Sequence, residues 1–217
     1  MQISRVNRSK SAARRVYNRL SRVYDLLAGS SETQFMHLGL EMLAVGAGET
    51  VLEIGCGTGK AVWELCHHAG KVYGLDLAPG MLQVAHERLL KDNLEGRVHL
   101  LCGDGAVLPY SDHSFSALFM SFTLELFDTP EIPLVLAECH RVLQPGGRLG
   151  VVALLKTVHS GRVVRLYEWF HDHFPTYVDC RPINAQEMIQ AAGFKLEKRQ
   201  ETSMWGLPVE LVMAWKG

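Results

Sequence analysis

The 217-residue chain has no apolar run near the roughly 20 residues needed to cross a bilayer. Its longest candidate, "LGVVALL" at Leu149–Leu155, has the length of a strand. Its five cysteines are odd in number and include no C-x-x-C pair. Free thiols in a reducing cytoplasm are expected, not a disulfide framework. The N-terminus lacks the apolar core and cleavage site of a secretory signal. No internal repeat and no Ser/Gly-rich linker interrupts the chain. His171 and His173, with Cys180, lack further ligands at regular spacing, so no metal centre is expected. Acid is absent from one place in particular. Met1 to Tyr24 holds seven basic residues (Arg5, Arg8, Lys10, Arg14, Arg15, Arg19 and Arg22) and no carboxylate, which leaves 15 basic residues against 23 acidic in the remainder.

What the chain does have is alternation. Short apolar runs begin at Thr50 ("TVLEIG"), Lys71 ("KVYGLDL"), Arg97 ("RVHLLCGD"), Ser114 ("SFSALFMSF") and Arg148 ("RLGVVALL"). Segments with helical spacing separate most of them: "TGKAVWELCHHAG", "PGMLQVAHERLLKDN" and "PEIPLVLAECHRVLQPGG". A further helix, "NAQEMIQAAGF", has Asn184 at the N-cap position and Gly193 as its stop. Two last strands, "KLEKRQET" and "LPVELVMAWK", have no helix between them. Near-continuous apolar strands alternating with helices predict an α/β fold: a doubly wound, mostly parallel seven-stranded sheet with an antiparallel edge hairpin. Residues 1–43 are expected to form basic amphipathic helices that act as a lid, and residues 44–217 the main domain.

"VLEIGCGTGK" (Val51–Lys60) sets Gly55, Gly57 and Gly59 between a predicted strand and a predicted helix. Glycines there allow a tight turn and close approach of the backbone to a ligand. Asp76 ends the second strand and Asp104 follows the third. All lie at carboxyl ends of strands, the rim where open α/β sheets bind ligands. Dinucleotides and S-adenosylmethionine both fit this layout. The dinucleotide fingerprint places its third glycine one residue later, and Glu53 beside a pyrophosphate would oppose like charges. A cationic ligand suits Glu53 better.

The ordered motifs "VLEIGCGTG", "VYGLDLAPGML", "LLCGDGAVLPYSDHSFSALFMSF" and "ECHRVLQPGGRL" resemble those of class I S-adenosylmethionine-dependent methyltransferases over about Ala44–Leu155. The resemblance implies that Gly55, Cys56 and Gly57 lie against the methionine part of the cofactor, with Cys56 a small filler and Glu53 behind. It implies that Asp76 binds both ribose hydroxyls and that Leu77 or Met81 packs near the adenine. Asp104 would take the adenine amino group, Gly105 and Ala106 would supply backbone, and Ser121 would face the reacting methyl. Glu138, His140 and Arg141 are expected to secure the following turn.

"VYNRLSRVYDLLAG" resembles the entry segment of the ubiquinone/menaquinone biosynthesis C-methyltransferases and of bacterial phospholipid N-methyltransferases. That match sets Tyr24, with Tyr17 beside it, over the cofactor. The chain departs from the quinone enzymes at Gln144, where they carry a basic residue, and at "VALLK" after the fifth strand. The expected activity is methyl transfer to a small, lipid-soluble acceptor, a quinone-precursor ring carbon or hydroxyl. Alternatives are a phospholipid-amine N-methyltransferase, an RNA or protein methyltransferase, or a non-catalytic cofactor-binding protein. The N/D-P-P-Y/F motif for planar amines of nucleic acid is replaced by "MSFTLE", which argues against a nucleic-acid partner. Tyr24, Glu125, His159 and Tyr177 are candidates for a base, and Arg181 for a substrate anion or a structural ion pair. A cytoplasmic location with peripheral membrane contact is expected from a stripe of Arg5, Arg8, Arg15, Arg19 and Arg22 beside an apolar stripe that includes Val16, Tyr17, Leu20, Val23 and Tyr24.

Overall fold

A computed structural model describes residues 5, 6, 8–27, 29–157, 167 and 180–217, with side chains undescribed at 27, 29 and 30. Seven strands form one sheet in the order β3-β2-β1-β4-β5-β7-β6. They are β1 Thr50–Ile54, β2 Lys71–Asp76, β3 Val98–Cys102, β4 Phe115–Ser121, β5 Leu143–Leu154, β6 Phe194–Met204 and β7 Leu207–Lys216. β1 to β5 pair in parallel with their neighbours, while β7 runs antiparallel to both β5 and β6. The chain leaves β1 toward β2 and β3, then returns to the other side of β1 for β4 and β5. The sheet therefore has its switch point between β1 and β4, and a crevice opens there beyond the strand ends.

Alternating side chains of the central strands bury on opposite faces. Val51, Ala117, Phe119 and Val152 join one core, and Leu52, Ile54, Leu118, Met120 and Val151 the other. The first core is completed by α3 (Gly29–Leu43) and α4 (Lys60–Leu65), with Leu89 of α5 (Pro79–Lys91). The second is completed by α6 (Ile132–Val142) and α7 (Ala185–Ala191). The doubly wound reading and the antiparallel edge hairpin both stand. α3 lies within the segment read as a lid, yet Phe35, Met36 and Leu43 are buried core residues. The part that covers the crevice is shorter: an extended arm, α1 (Lys10–Leu20) and α2 (Tyr24–Leu27).

Local signals explain most element ends. Pro79 stands in the first turn of α5, where its missing N–H costs no hydrogen bond. Gly193 ends α7 with φ 92°. Asn184 occupies the α7 cap position but its side chain makes no capping bond. The cap comes from β7 instead: buried Glu210 Oε1 accepts the Ala185 N–H at 2.6 Å. "LQPGG", read as the close of a helix, belongs to the start of β5. Glu138 and Arg141 secure the connection between β3 and β4, not the turn that follows their helix. Glu138 accepts the Leu108 N–H at 2.7 Å, and Arg141 donates to the carbonyls of Leu108 and Tyr110.

Arg148 joins the start of the long β5 to the end of α3. It donates to the carbonyls of Leu43 at 2.6 Å and Ala44 at 2.9 Å, and forks onto Glu49 at 2.6 and 2.7 Å. This hydrogen bonding holds the Glu49 carboxyl below its usual range. Replacing Arg148 by Met takes the side-chain donor from two carbonyls and leaves Glu49 only its bond from the Gly46 N–H, so we expect urea unfolding to show a loss of about 2–3 kcal/mol. A loss under about 0.5 kcal/mol, the scatter of ordinary surface changes, would discount the anchor.

Candidate functional site

The segment between β1 and α4 is held by three consecutive amides. Gly55 and Cys56 donate to the Leu75 carbonyl at 2.7 and 3.1 Å, and Gly57 donates to Asp76 Oδ2 at 2.9 Å. Asp76 Oδ1 accepts the Ala78 N–H at 2.8 Å. Gly55 has φ 73°, and a Cβ there would lie 2.3 Å from Thr123. Gly59 has φ 78°, and its Cβ would lie 2.7 Å from the Ala85 Cβ, so the third glycine lets α4 and α5 approach.

A cleft of about 200 Å³ lies over this loop. Of the residues singled out from sequence, Tyr24, Glu53, Gly55, Cys56, Gly57, Asp76, Leu77, Met81, Asp104, Gly105 and Ser121 line it. Ala106 is outside the lining; its N–H donates to Asp104 Oδ1 at 3.0 Å. Glu125 is also outside it, fully buried, with Oε1 accepting the Leu154 N–H at 3.2 Å. Arg181 is fully buried as well. It donates to Thr129 Oγ1 at 3.0 Å and the Phe127 carbonyl at 2.6 Å, which makes it a brace for the loop before α6. His159, Tyr177, His171 and His173 lie outside the described residues.

Seven carboxylates line the cleft among the described residues (Asp25, Glu32, Glu53, Asp76, Asp104, Asp128 and Glu131), against three cations (Arg8, Lys10 and Lys60). Glu53 is 4% exposed and its Oε2 has no hydrogen-bond partner. Burial, reinforced by the charge of Asp76, pushes its carboxyl well above the usual range. Burial also raises Asp76, against the two amides that favour its charged form. Burial pushes the Cys56 thiol up too, which suits a filler and not a nucleophile. The lining also has an apolar and aromatic part: Tyr17, Tyr24, Met36, Phe122, Leu126 and Phe127. Tyr17 and Tyr24 pack with ring centroids 6.2 Å apart. Phe122 is held at φ 49°, a conformation bulky residues rarely adopt, at the end of β4.

The returning N-terminal arm supplies residues that no local pattern singled out. Arg5 forks onto Asp128 at 2.5–2.9 Å. Lys10 Nζ lies 2.6 Å from Asp104 Oδ2 and 2.7 Å from Glu131. Asp25, next to Tyr24, accepts from the Thr58 hydroxyl at 2.7 Å and from Arg88, with Lys60 at 3.5 Å. The "YD" pair thus divides its work: Tyr24 faces the cleft and Asp25 ties α2 to the glycine loop. Asn18 Oδ1 accepts the Gly80 N–H at 2.8 Å and holds α1 on the start of α5. Among the described residues no group of three His, Cys, Asp or Glu is placed to hold a metal ion.

Residues 51–147 match the methyltransferase-domain family. A demethylmenaquinone methyltransferase of Tropheryma whipplei (strain Twist) is 36% identical over 143 residues, 64% of this chain and 57% of that protein. The ubiquinone/menaquinone biosynthesis C-methyltransferase UbiE of Dinoroseobacter shibae is 32% identical over 139 residues, 63% of this chain and 55% of that protein. The chain thus spans less than two thirds of the length of these curated relatives. In structure, it is similar to the cyclase SpnF, with a TM-score of 0.77 at 19% identity, covering 96% of this chain and 97% of the other. At that identity the likeness is one of fold.

Burial raises the Glu125 carboxyl to about 8, with Glu32 adding to the effect and Arg181 opposing it. A group raised in the folded state contributes stability that is complete below its unfolded pKa, near 4.3, and is lost as pH rises through about 8. Glu125→Gln stays neutral, so its melting temperature should gain on the parent between pH 5 and pH 8. The relative gain is on the order of 4 kcal/mol. Parallel melting curves across that range would show that Glu125 is not a buried acid.

Proposed function

Given that the chain carries a class I S-adenosylmethionine-dependent methyltransferase domain, we propose that it transfers the methyl group to a small, lipid-soluble acceptor, a quinone-precursor ring carbon or hydroxyl. The observation that carries the cofactor assignment is the surplus of carboxylates lining the cleft, with Glu53 buried and one of its oxygens unpartnered. Such a site favours a ligand bearing a sulfonium and an ammonium, and it disfavours a pyrophosphate.

The residues present fit the group. Glu53, Gly55, Cys56 and Gly57 would hold its methionine part. Asp76 would accept from the ribose hydroxyls, and Leu77 and Met81 would cover the adenine. Asp104 and the backbone of Gly105 and Ala106 would meet the adenine amino edge, where Lys10 now bonds Asp104 and has Glu131 as its second partner. Ser121 would stand beside the reacting methyl. When bound, S-adenosylmethionine supplies a methyl group already activated by its positive sulfur. The protein's share is then orientation and exclusion of water.

The aromatic wall supports a flat, apolar acceptor. Tyr17, Tyr24, Phe122 and Phe127 contribute aromatic rings to the cleft lining. Asp25, through Thr58 and Arg88, keeps Tyr24 in that wall. Tyr24 Oη is our candidate to orient an acceptor hydroxyl by accepting its hydrogen bond. Glu125 suits this role poorly, being fully buried and protonated at neutral pH. The names of the relatives, demethylmenaquinone methyltransferase and UbiE, support the same acceptor class.

Two measurements test the reading. Calorimetry with S-adenosylhomocysteine should show Asp76→Ala binding about 30- to 100-fold more weakly, the loss of a charged hydrogen-bond acceptor. A melting curve like the parent's would certify the fold, and unchanged affinity would refute the site. Labelled methyl should pass from the cofactor into demethylated quinone precursors. Label found instead in phosphatidylethanolamine or in RNA would refute the acceptor class.

A further inference from the structure

α1 has two faces with opposite partners. Ala13 and Tyr17 line the cleft, and Asn18 is fastened to α5. Arg15 and Arg19, one helical turn apart, are exposed on the side away from Ala13 and Tyr17. Arg14 and Arg22 are exposed beside them. Arg22 has a single loose acid, Glu87 at 3.8 Å, and among the described residues no ion pair involves Arg14, Arg15 or Arg19. Directly after them the chain turns out two apolar side chains, Val23 at 45% and Leu26 at 88% exposure. Leu26 neighbours Tyr24 and Asp25, whose side chains face inward to the cleft and its loop.

The structure corrects the sequence-based stripe. Arg5 is bound to Asp128, and Arg8 lines the cleft over the Tyr17 ring. Neither belongs to the outward face. What remains outside is four arginines followed by two apolar residues, on the element that covers the cleft mouth.

We propose that this outer face, Arg14, Arg15, Arg19 and Arg22 with Val23 and Leu26, docks on an anionic lipid bilayer. Charge complementarity selects the occupant. Unpaired guanidiniums on a helix surface match lipid phosphates, and Leu26 and Val23 lie where a peripheral helix enters the acyl boundary. A nucleic acid would satisfy the arginines but would gain nothing from an aliphatic residue exposed at 88%. Docking in this pose sets the outer side of the lid against the lipid phase from which an apolar acceptor is drawn. The proposal rests on the lipophilic-acceptor reading for its purpose, but its test is independent of it.

The test is flotation of the full chain with vesicles of phosphatidylcholine alone or with phosphatidylglycerol added. The parent should float with the anionic vesicles and not with the neutral ones, and high salt should release it. Arg15→Ser/Arg19→Ser should bind about 10- to 30-fold more weakly, as expected for two basic residues near an anionic surface. Leu26→Asp should weaken binding at least tenfold. Lys198→Ser, on the exposed edge strand β6, should change nothing. Affinity for S-adenosylhomocysteine and the melting curve should stay at the parent's level in all of them. Equal flotation with both vesicle types, or variants that float like the parent, would overturn the proposal. So would tighter binding to a structured RNA than to anionic vesicles. Anionic flotation without methyl transfer to quinone precursors would refute the acceptor reading and leave the docking face standing.

Discussion

Three consecutive backbone amides, those of Gly55, Cys56 and Gly57, are fastened to the end of β2 through the Leu75 carbonyl and Asp76. The rest of the site depends on that stitch. It bends the chain sharply after β1, opens the crevice at the switch point and lays α4 onto one face of the sheet. It also requires glycine, since the loop passes within contact distance of Thr123 at Gly55 and of Ala85 at Gly59. Asp76 serves two purposes in this arrangement. It fixes the loop with one oxygen and the start of α5 with the other.

Onto that loop the chain builds a lid from its own N-terminus. Asp25 reaches Thr58 and Arg88, Asn18 reaches Gly80, Lys10 reaches Asp104 and Glu131, and Arg5 reaches Asp128. Lys10 and Arg5 link basic residues of this segment to acids of the rim, whereas Asp25 brings a negative charge to Arg88 and Asn18 accepts a backbone N–H. The basic front end is therefore partly consumed in holding the lid to an acidic cleft, and partly left outside. The electrostatics of the cleft and the composition of the N-terminus are two sides of one arrangement.

The cleft itself is mixed in its chemistry. Its lining combines seven carboxylates with rings and thioether from the lid, α3 and the loop after β4. Burial raises the carboxyls of Glu53 and Asp76, and raises Glu125 behind the wall. Charged and apolar side chains thus share one continuous cleft.

Strand, glycine loop and helix were legible in order because each is set by residues adjacent in the chain. The largely apolar run of Val51 to Ile54, the Pro79 start and the Gly193 stop are local physics, and so is the run of acids at strand ends. The cleft lining was legible to the same extent, since a parallel sheet brings those strand ends to one rim. What no local pattern shows is pairing across the chain. Glu210 in place of Asn184 as a cap, Arg181 as a buried brace, Asp25 as the lid's anchor and Lys10 on Asp104 all join residues far apart in sequence. Composition alone counted seven basic residues in the first 24; only the path of the folded chain decided that Arg5 and Lys10 turn inward to carboxylates while Arg14, Arg15 and Arg19 face out. A charge is written in the sequence, but its partner is chosen by the fold, because Coulomb attraction depends on separation in space and not on separation along the chain.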